Sequence, residues 1–246
     1  MVALEVDMVL VGKVIMSIKN IDNITCITVT YKTPDLMEKV YSTLRYHYPT
    51  VKYIIIDNSE GDECTELIRS WLPKDPNLKL VELSENIGHG YGMHRGIEEC
   101  ETDYAFIFDS DIIFKNGGFI EDGLKLFDED TYGVGWILRL DMGGRNVPKD
   151  YDGEVLLYLF DGFWFVNKSQ YYKYHPLHKF GLPLFKAMVE IHNAGLSEKI
   201  LKSLFNGNTN FYLNHASGGT RMKYGDVEDL LEGFNGKKGD MSGQLD

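Results

Sequence analysis

Two carboxylates close an apolar run in this chain: Tyr104-Ala105-Phe106-Ile107-Phe108, then Asp109-Ser110-Asp111. Acids spaced i, i+2 concentrate negative charge at one point. Such a pair suits a hard divalent cation and, through it, a phosphate ester. The run before them has the make-up of a strand buried on both faces, as parallel sheets require. Ligands of open α/β sheets collect beyond the carboxyl ends of the strands. Asp-x-Asp also serves turns and helix N-caps, because aspartate accepts backbone N–H bonds. The rest of the chain has to separate the two readings.

Other segments end in the same way. The strand predicted over Ile24–Tyr31 ends at Thr30-Tyr31, and the one over Val51–Ile56 runs into Asp57-Asn58-Ser59. Asp57 can accept a hydrogen bond from a base, and Tyr31 can stack on that base. A plain turn at 57–59 is the alternative. The segment Asn86-Ile87-Gly88-His89-Gly90-Tyr91-Gly92-Met93-His94-Arg95-Gly96 looks like a dinucleotide fingerprint, but it stands in the third unit and lacks the acid that should follow. Glycines at a helix start let a ligand approach the backbone. His94 and Arg95, one turn on, are in range of a phosphate. For Gly92 and Gly96 the competing reading is close packing of the helix on the sheet.

The elements that must position these residues alternate. Strands are predicted over 24–31, 51–56, 78–83, 104–108 and 132–140, with helices over 34–46, 62–71, 88–99 and 118–128. That rhythm means right-handed βαβ units and a parallel sheet. The second half is less regular: an aromatic strand over 155–166, a short helix over 169–174, helices over 184–194 and 197–205, and a short strand over 210–213. Alternating apolar residues from Val2 to Ile18 predict an N-terminal β-hairpin.

Length and composition narrow the classes. The chain has 246 residues, 43% of them hydrophobic, so a sizeable core is available. Its formal charge of −12 comes from 25 basic and 37 acidic residues. That balance disfavours nucleic acid as a partner. Three scattered cysteines, Cys26, Cys64 and Cys100, form no metal or disulfide pattern and read as free thiols in a reducing, cytoplasmic setting. Glu5, Asp7 and Lys13 break the apolar N-terminus, so neither a signal peptide nor a transmembrane segment is expected.

Taken in order, Ile24–Tyr31, Asp57-Asn58-Ser59, Asn86-Ile87-Gly88 with its helix, and Asp109-Ser110-Asp111 resemble the GT-A glycosyltransferases. The nearest likeness is to family 2, including its rhamnosyltransferase-like members. It covers residues 23 to 140 well and 155 to 221 loosely. The resemblance implies an α/β fold with a mostly parallel central sheet flanked by helices. The lack of an internal repeat or clear linker gives one domain over 1–232, with a nucleotide-binding half at 23–140 and an acceptor half at 141–232, and the Gly-rich, polar end gives a flexible tail at 233–246. The resemblance implies transfer of a sugar from a nucleoside-diphosphate sugar, a UDP-sugar, to the hydroxyl of a glycan, lipid, protein or modified base. Thr30, Tyr31, Asp57, Asn86 and Gly88 would hold the nucleoside, with His94, Arg95 and Arg221 toward the diphosphate. Asp109 would sit near ribose or metal. The DXD acid Asp111 would bind Mn²⁺ or Mg²⁺, and His215 would complete the metal shell. Gly162, in Asp161-Gly162-Phe163-Trp164-Phe165, would lie under the donor sugar.

One departure bears on mechanism. Inverting members carry a Glu-Asp pair whose Asp is the general base. Between Gly162 and His215 the only acids here are Glu190 and Glu198. Glu190 is the nearest substitute and Asp161 the other candidate, so inversion or retention stays open. Two further classes compete. A nucleotidyltransferase would need a glycine-rich loop after the first strand, where Tyr31-Lys32-Thr33-Pro34 stands. A catalytically inactive nucleotide- or sugar-binding relative would lack a working base.

Overall fold

A computed structural model describes residues 20–179, 181–207 and 209–215. The expected hairpin at 2–18, Arg221 and the tail at 233–246 lie outside the described residues. The first half is the predicted alternation: β1 (Ile24–Thr30), α1 (Pro34–His47), β2 (Lys52–Asp57), α2 (Glu63–Trp71), β3 (Leu78–Glu82), α3 (His89–Glu99) and β4 (Tyr104–Asp109). Every side chain of β1 is buried, as its β-branched composition requires. Asp62 caps α2 by accepting from the Cys64 amide at 2.9 Å. Thr33 precedes Pro34 at the start of α1 but makes no cap bond. Its hydroxyl meets that of Thr30 at 3.2 Å instead.

The second half adds β5 (Ile112–Phe114), α4 (Phe119–Lys125), β6 (Gly133–Leu140), β7 (Leu156–Asn167), α5 (Lys168–Tyr171), α6 (Phe185–Asn193), α7 (Ser197–Ile200), β8 (Leu201–Ser203), α8 (Thr209–Tyr212) and β9 (Leu213–His215). The main sheet has the order β3-β2-β1-β4-β7-β6-β8. β7 is antiparallel to both its neighbours, and the other six strands share one direction. The mostly parallel α/β sheet is therefore present.

Two expectations need correction, and one strand, β5, is not foreseen from the sequence. The helix predicted over 197–205 ends at Ile200, because the free edge of β6 recruits Leu201–Ser203 as β8. The strand predicted over 210–213 is a helical turn, α8, and pairing begins only at Leu213. β5 is a three-residue strand, too short to show a period. In each case pairing with a distant segment overrides local preference.

Helices cover both sheet faces. Met37, Val40 and Leu44 of α1, Ile68 of α2 and Phe119, Ile120 and Leu124 of α4 join one core, with Phe106, Phe108, Phe163 and Phe165. Met93 and Ile97 of α3 and Phe185, Met188 and Ile191 of α6 join the other, with Ile27, Ile107 and Trp164. Gly92 and Gly96 let α3 lie close on β1. An added Cβ would stand 2.7 Å from Val29 and 2.4 Å from Ile27. Packing thus accounts for both glycines. No helix among the described residues is long and apolar enough to cross a membrane.

Candidate active site

The carboxyl ends of β2, β1 and β4 form one rim, since Thr30 pairs with Asp57 and Val29 with Asp109. Asn58 joins this rim to the start of α3. Its amide N–H donates to the Thr30 carbonyl at 2.9 Å. Its side chain accepts from the Ile87 amide at 3.3 Å and donates to the Gly88 carbonyl at 3.4 Å. Asn86 in turn accepts from the Gly88 amide at 2.9 Å. The predicted nucleoside residues Thr30, Asp57, Asn86 and Gly88 are therefore linked parts of one edge.

Asp57 is almost fully buried. One carboxylate oxygen accepts from the Ser59 amide at 2.9 Å and the other from the Thr65 hydroxyl. The turn reading of this segment is thus realised. Tyr31 lies half-buried on the same rim, with the Lys32 ammonium 5.1 Å above its ring.

The acid pair finds its partner through the small sheet. β5 and β9 run antiparallel, with His215 opposite Ile112. This register places the imidazole next to the residue that follows Asp111. His215 Nε2 is 3.2 Å from Asp109 Oδ2 and 3.1 Å from Asp111 Oδ1. Ligating atoms of the three residues lie within 4.8 Å of one another. Two carboxylates and one imidazole suit a hard or borderline divalent ion such as Mn²⁺ or Mg²⁺.

Sequence reasoning missed a fourth member. His89, the first residue of α3, places Nε2 3.2 Å from Asp109 Oδ1. Its position at a helix start facing the rim was the signal that could have found it. Burial alone would raise the Asp109 carboxyl. The hydrogen bonds to His215 and His89 outweigh that and hold it at about 2. Burial opposes the charged form of His215, yet Asp109 and Asp111 lift it to about 10. His89 is raised too, its bond to Asp109 outweighing burial. These bonds therefore keep Asp109 ionised.

Asp161 of β7 is a further carboxyl beside this cluster, close enough to feel the charges of Asp109 and His89. Burial first, and the Asp109 charge second, push it up to about 6. The Tyr158 hydroxyl donates to it at 3.2 Å. A carboxylate this basic, beside a charged site, has the character of a general base. Gly162 follows, where an added Cβ would come 2.6 Å from the Phe160 ring and 3.1 Å from His215 Cε1. The absent side chain is what lets His215 and the Phe160 ring lie against the backbone of β7 at Gly162.

The structure does not bring every predicted residue here. Glu190 sits on α6, which packs on the sheet face opposite the Phe163–Phe165 core beside His215. Its carboxylate accepts from the His175 amide at 2.8 Å. His94 Nδ1 bonds the Tyr171 hydroxyl at 2.7 Å. Tyr171 follows the end of β7 that pairs with Tyr104, the opposite end of β4 from Asp109. Arg95 pairs with Glu98 at 3.5 Å and also with Glu99, on the outer side of α3.

The family model described as "Glycosyl transferase family 2" matches residues 25–205, which include both sheet halves. The chain belongs to that family. A dolichyl-phosphate beta-glucosyltransferase of Dictyostelium discoideum is 30% identical over 103 residues, 40% of this chain and 31% of that protein. Two solved structures share the GT-A fold. The mannosyltransferase PcManGT from Pyrobaculum calidifontis, in complex with GDP-Man and Mn²⁺, superposes at a TM-score of 0.57 with 13% identity, covering 74% of this chain and 54% of its own. S. aureus TarS 1-349 in complex with UDP-GlcNAc superposes at 0.53 with 17% identity, covering 78% and 57%. This family 2 chain spans under a third of that curated relative. The match is to family 2 as a whole and singles out no rhamnosyltransferase-like subgroup.

Proposed function

We propose that this family 2 chain moves a sugar from a nucleoside-diphosphate donor, a UDP-sugar, to an acceptor hydroxyl with the help of Mn²⁺ or Mg²⁺. The observation that carries the reading is the convergence of Asp109, Asp111 and His215 at the carboxyl end of β4. Those three side chains would hold the ion. When bound, such an ion neutralises the diphosphate charge as the sugar departs. Nucleotide-sugar donors in the two solved structures, and Mn²⁺ in one, agree with this reading.

The chain's own residues then divide the work. The 23–140 half supplies the nucleoside rim: Tyr31 stacks on the base, while Asp57, Asn86 and Gly88 fix the edge around it. Asp57 retains acceptor capacity, since each carboxylate oxygen has a second lone pair. The 141–232 half supplies the acceptor side. There Asp161, rather than Glu190, takes the proton from the attacking hydroxyl. Its raised affinity for a proton favours that transfer, and Phe160 and Phe163 keep water away. The entry of Tyr31-Lys32-Thr33 directly into α1 provides no glycine-rich phosphate loop, which argues against a nucleotidyltransferase.

A thermal-shift screen of nucleoside diphosphates with and without Mn²⁺ tests the reading. UDP with Mn²⁺ is expected to raise the melting temperature by several degrees. A ligand at a hundred times its Kd adds about 2.7 kcal/mol, and each kcal/mol is worth roughly 2–4 °C at this size. A chain indifferent to every nucleoside diphosphate in the presence of Mn²⁺ would defeat the proposal.

A further inference from the structure

Trp136 is 38% exposed, whereas Trp164 is fully buried and Trp71 is stacked on Tyr41 at 4.1 Å. A singly exposed aromatic side chain is ordinary on a protein surface; what sets this one apart is how it is held and what it adjoins. The surrounding backbone holds this indole in place. The register of β6 against β7 shifts between Gly135 and Ile137, so the irregularity falls on Trp136 itself. Asn206 accepts from the Ile137 amide at 2.9 Å, and the Leu204 amide donates to the Gly135 carbonyl at 3.0 Å. The strand on both sides of Trp136 is thus tied down, and the ring is presented rather than loose.

The ring is also continuous with the charged cluster. It meets Phe160 edge-on at 5.4 Å and lies nearly parallel to Phe163 at 6.3 Å. Both phenylalanines touch the His215 ring, each with centroids 5.7 Å away. An aromatic strip therefore runs from the metal-ligating histidine to solvent in two ring steps. By way of Phe160 its two steps are 5.7 and 5.4 Å between ring centroids. Sugars bury their C–H faces on flat aromatic surfaces while their hydroxyls stay in water. A strip that is wet at its outer end suits such a ligand better than an acyl chain, which would need an enclosed apolar groove.

Resting on the glycosyltransferase reading above, we infer that Trp136 is the stacking platform of an acceptor subsite, and that the acceptor is a saccharide. The test uses tryptophan emission of the full chain with UDP and Mn²⁺ present. Cello-, chito- and malto-hexaose serve as probes. At least one is expected to quench and blue-shift the emission saturably. Trp136→Phe, which keeps Trp71 and Trp164, is expected to lose that response. Calorimetric titration of the same saccharide is expected to show a Kd raised roughly tenfold in Trp136→Ala and partly restored in Trp136→Phe. A merely structural tryptophan would move neither the emission nor the Kd in this graded way. No response to any of the three saccharides, or an unchanged Kd in Trp136→Ala, would overturn the inference. UDP binding by the wild-type chain is read in the same samples. Its failure would count against the nucleotide-sugar reading, whereas its success beside a silent Trp136 would remove only the saccharide acceptor.

Discussion

Replacing Asp111 with alanine is expected to abolish sugar transfer and donor hydrolysis together, by at least about a thousandfold, while the fold survives. The reason is geometric. Asp111 and Asp109 face the same nitrogen of His215 at 3.1 and 3.2 Å. Removing one carboxylate takes away a ligating oxygen and half of the negative charge that would attract a cation. The fold should tolerate the change, because Ile112 and Phe114 on β5 carry the core contacts of this segment. Donor hydrolysis is the informative assay, since it needs the diphosphate held but no acceptor. Circular dichroism and the melting temperature check the fold. Full activity in Asp111→Ala, or in excess EDTA, would remove the metal from the mechanism.

Asp161→Asn has the next largest expected effect. Transfer should fall by about 10²–10⁴ in kcat, with nucleotide binding kept. The amide preserves shape and the hydrogen bond from Tyr158 but cannot take a proton. The pH dependence gives a second signature. The working form is the carboxylate, which is present above its pKa and lost as the pH falls through it. In the ion-free chain that pKa is pushed up to about 6. Part of the rise comes from the charge of Asp109, which a bound cation would offset. The acid limb of the wild-type rate is therefore expected at or below about pH 6, and it should vanish in Asp161→Asn. An unchanged rate and an unchanged acid limb in that variant would assign the base elsewhere, with Glu190→Gln as the next comparison.

How much of this was readable in the sequence follows from how local each feature is. β1, β2 and β4 carry long apolar runs, the helices between them carry an apolar period, and α2 also has its Asp62 cap. Those elements, and the strand-end position of Asp57, Asp109 and Asp111, were therefore legible. The family resemblance rested on the same segments and agrees with the match over 25–205. His215 was singled out only through the resemblance, because what places it is the β5–β9 register across about a hundred residues. β5 and β8 are three residues each and owe their existence to a partner strand. His89 was hidden among glycines whose main role is packing. His94 and Arg95 looked suitable by type, but a helix turns its residues to different sides. His94 faces Tyr171, and Arg95 faces its own glutamates. Trp136 was one aromatic residue in an apolar strand until the register shift set it apart.

The central claim is that Asp109, Asp111 and His215 hold a divalent ion that grips a nucleoside diphosphate. Its most direct test is the coupling between the two ligands, measured by titrating UDP with and without Mn²⁺ into wild-type chain and Asp111→Ala. Coupling is predicted to strengthen UDP binding roughly 5–150-fold in the wild type, with the same factor seen when Mn²⁺ is titrated against UDP, and to disappear in Asp111→Ala. Equal UDP affinity with Mn²⁺ and with EDTA in the wild type would contradict the account.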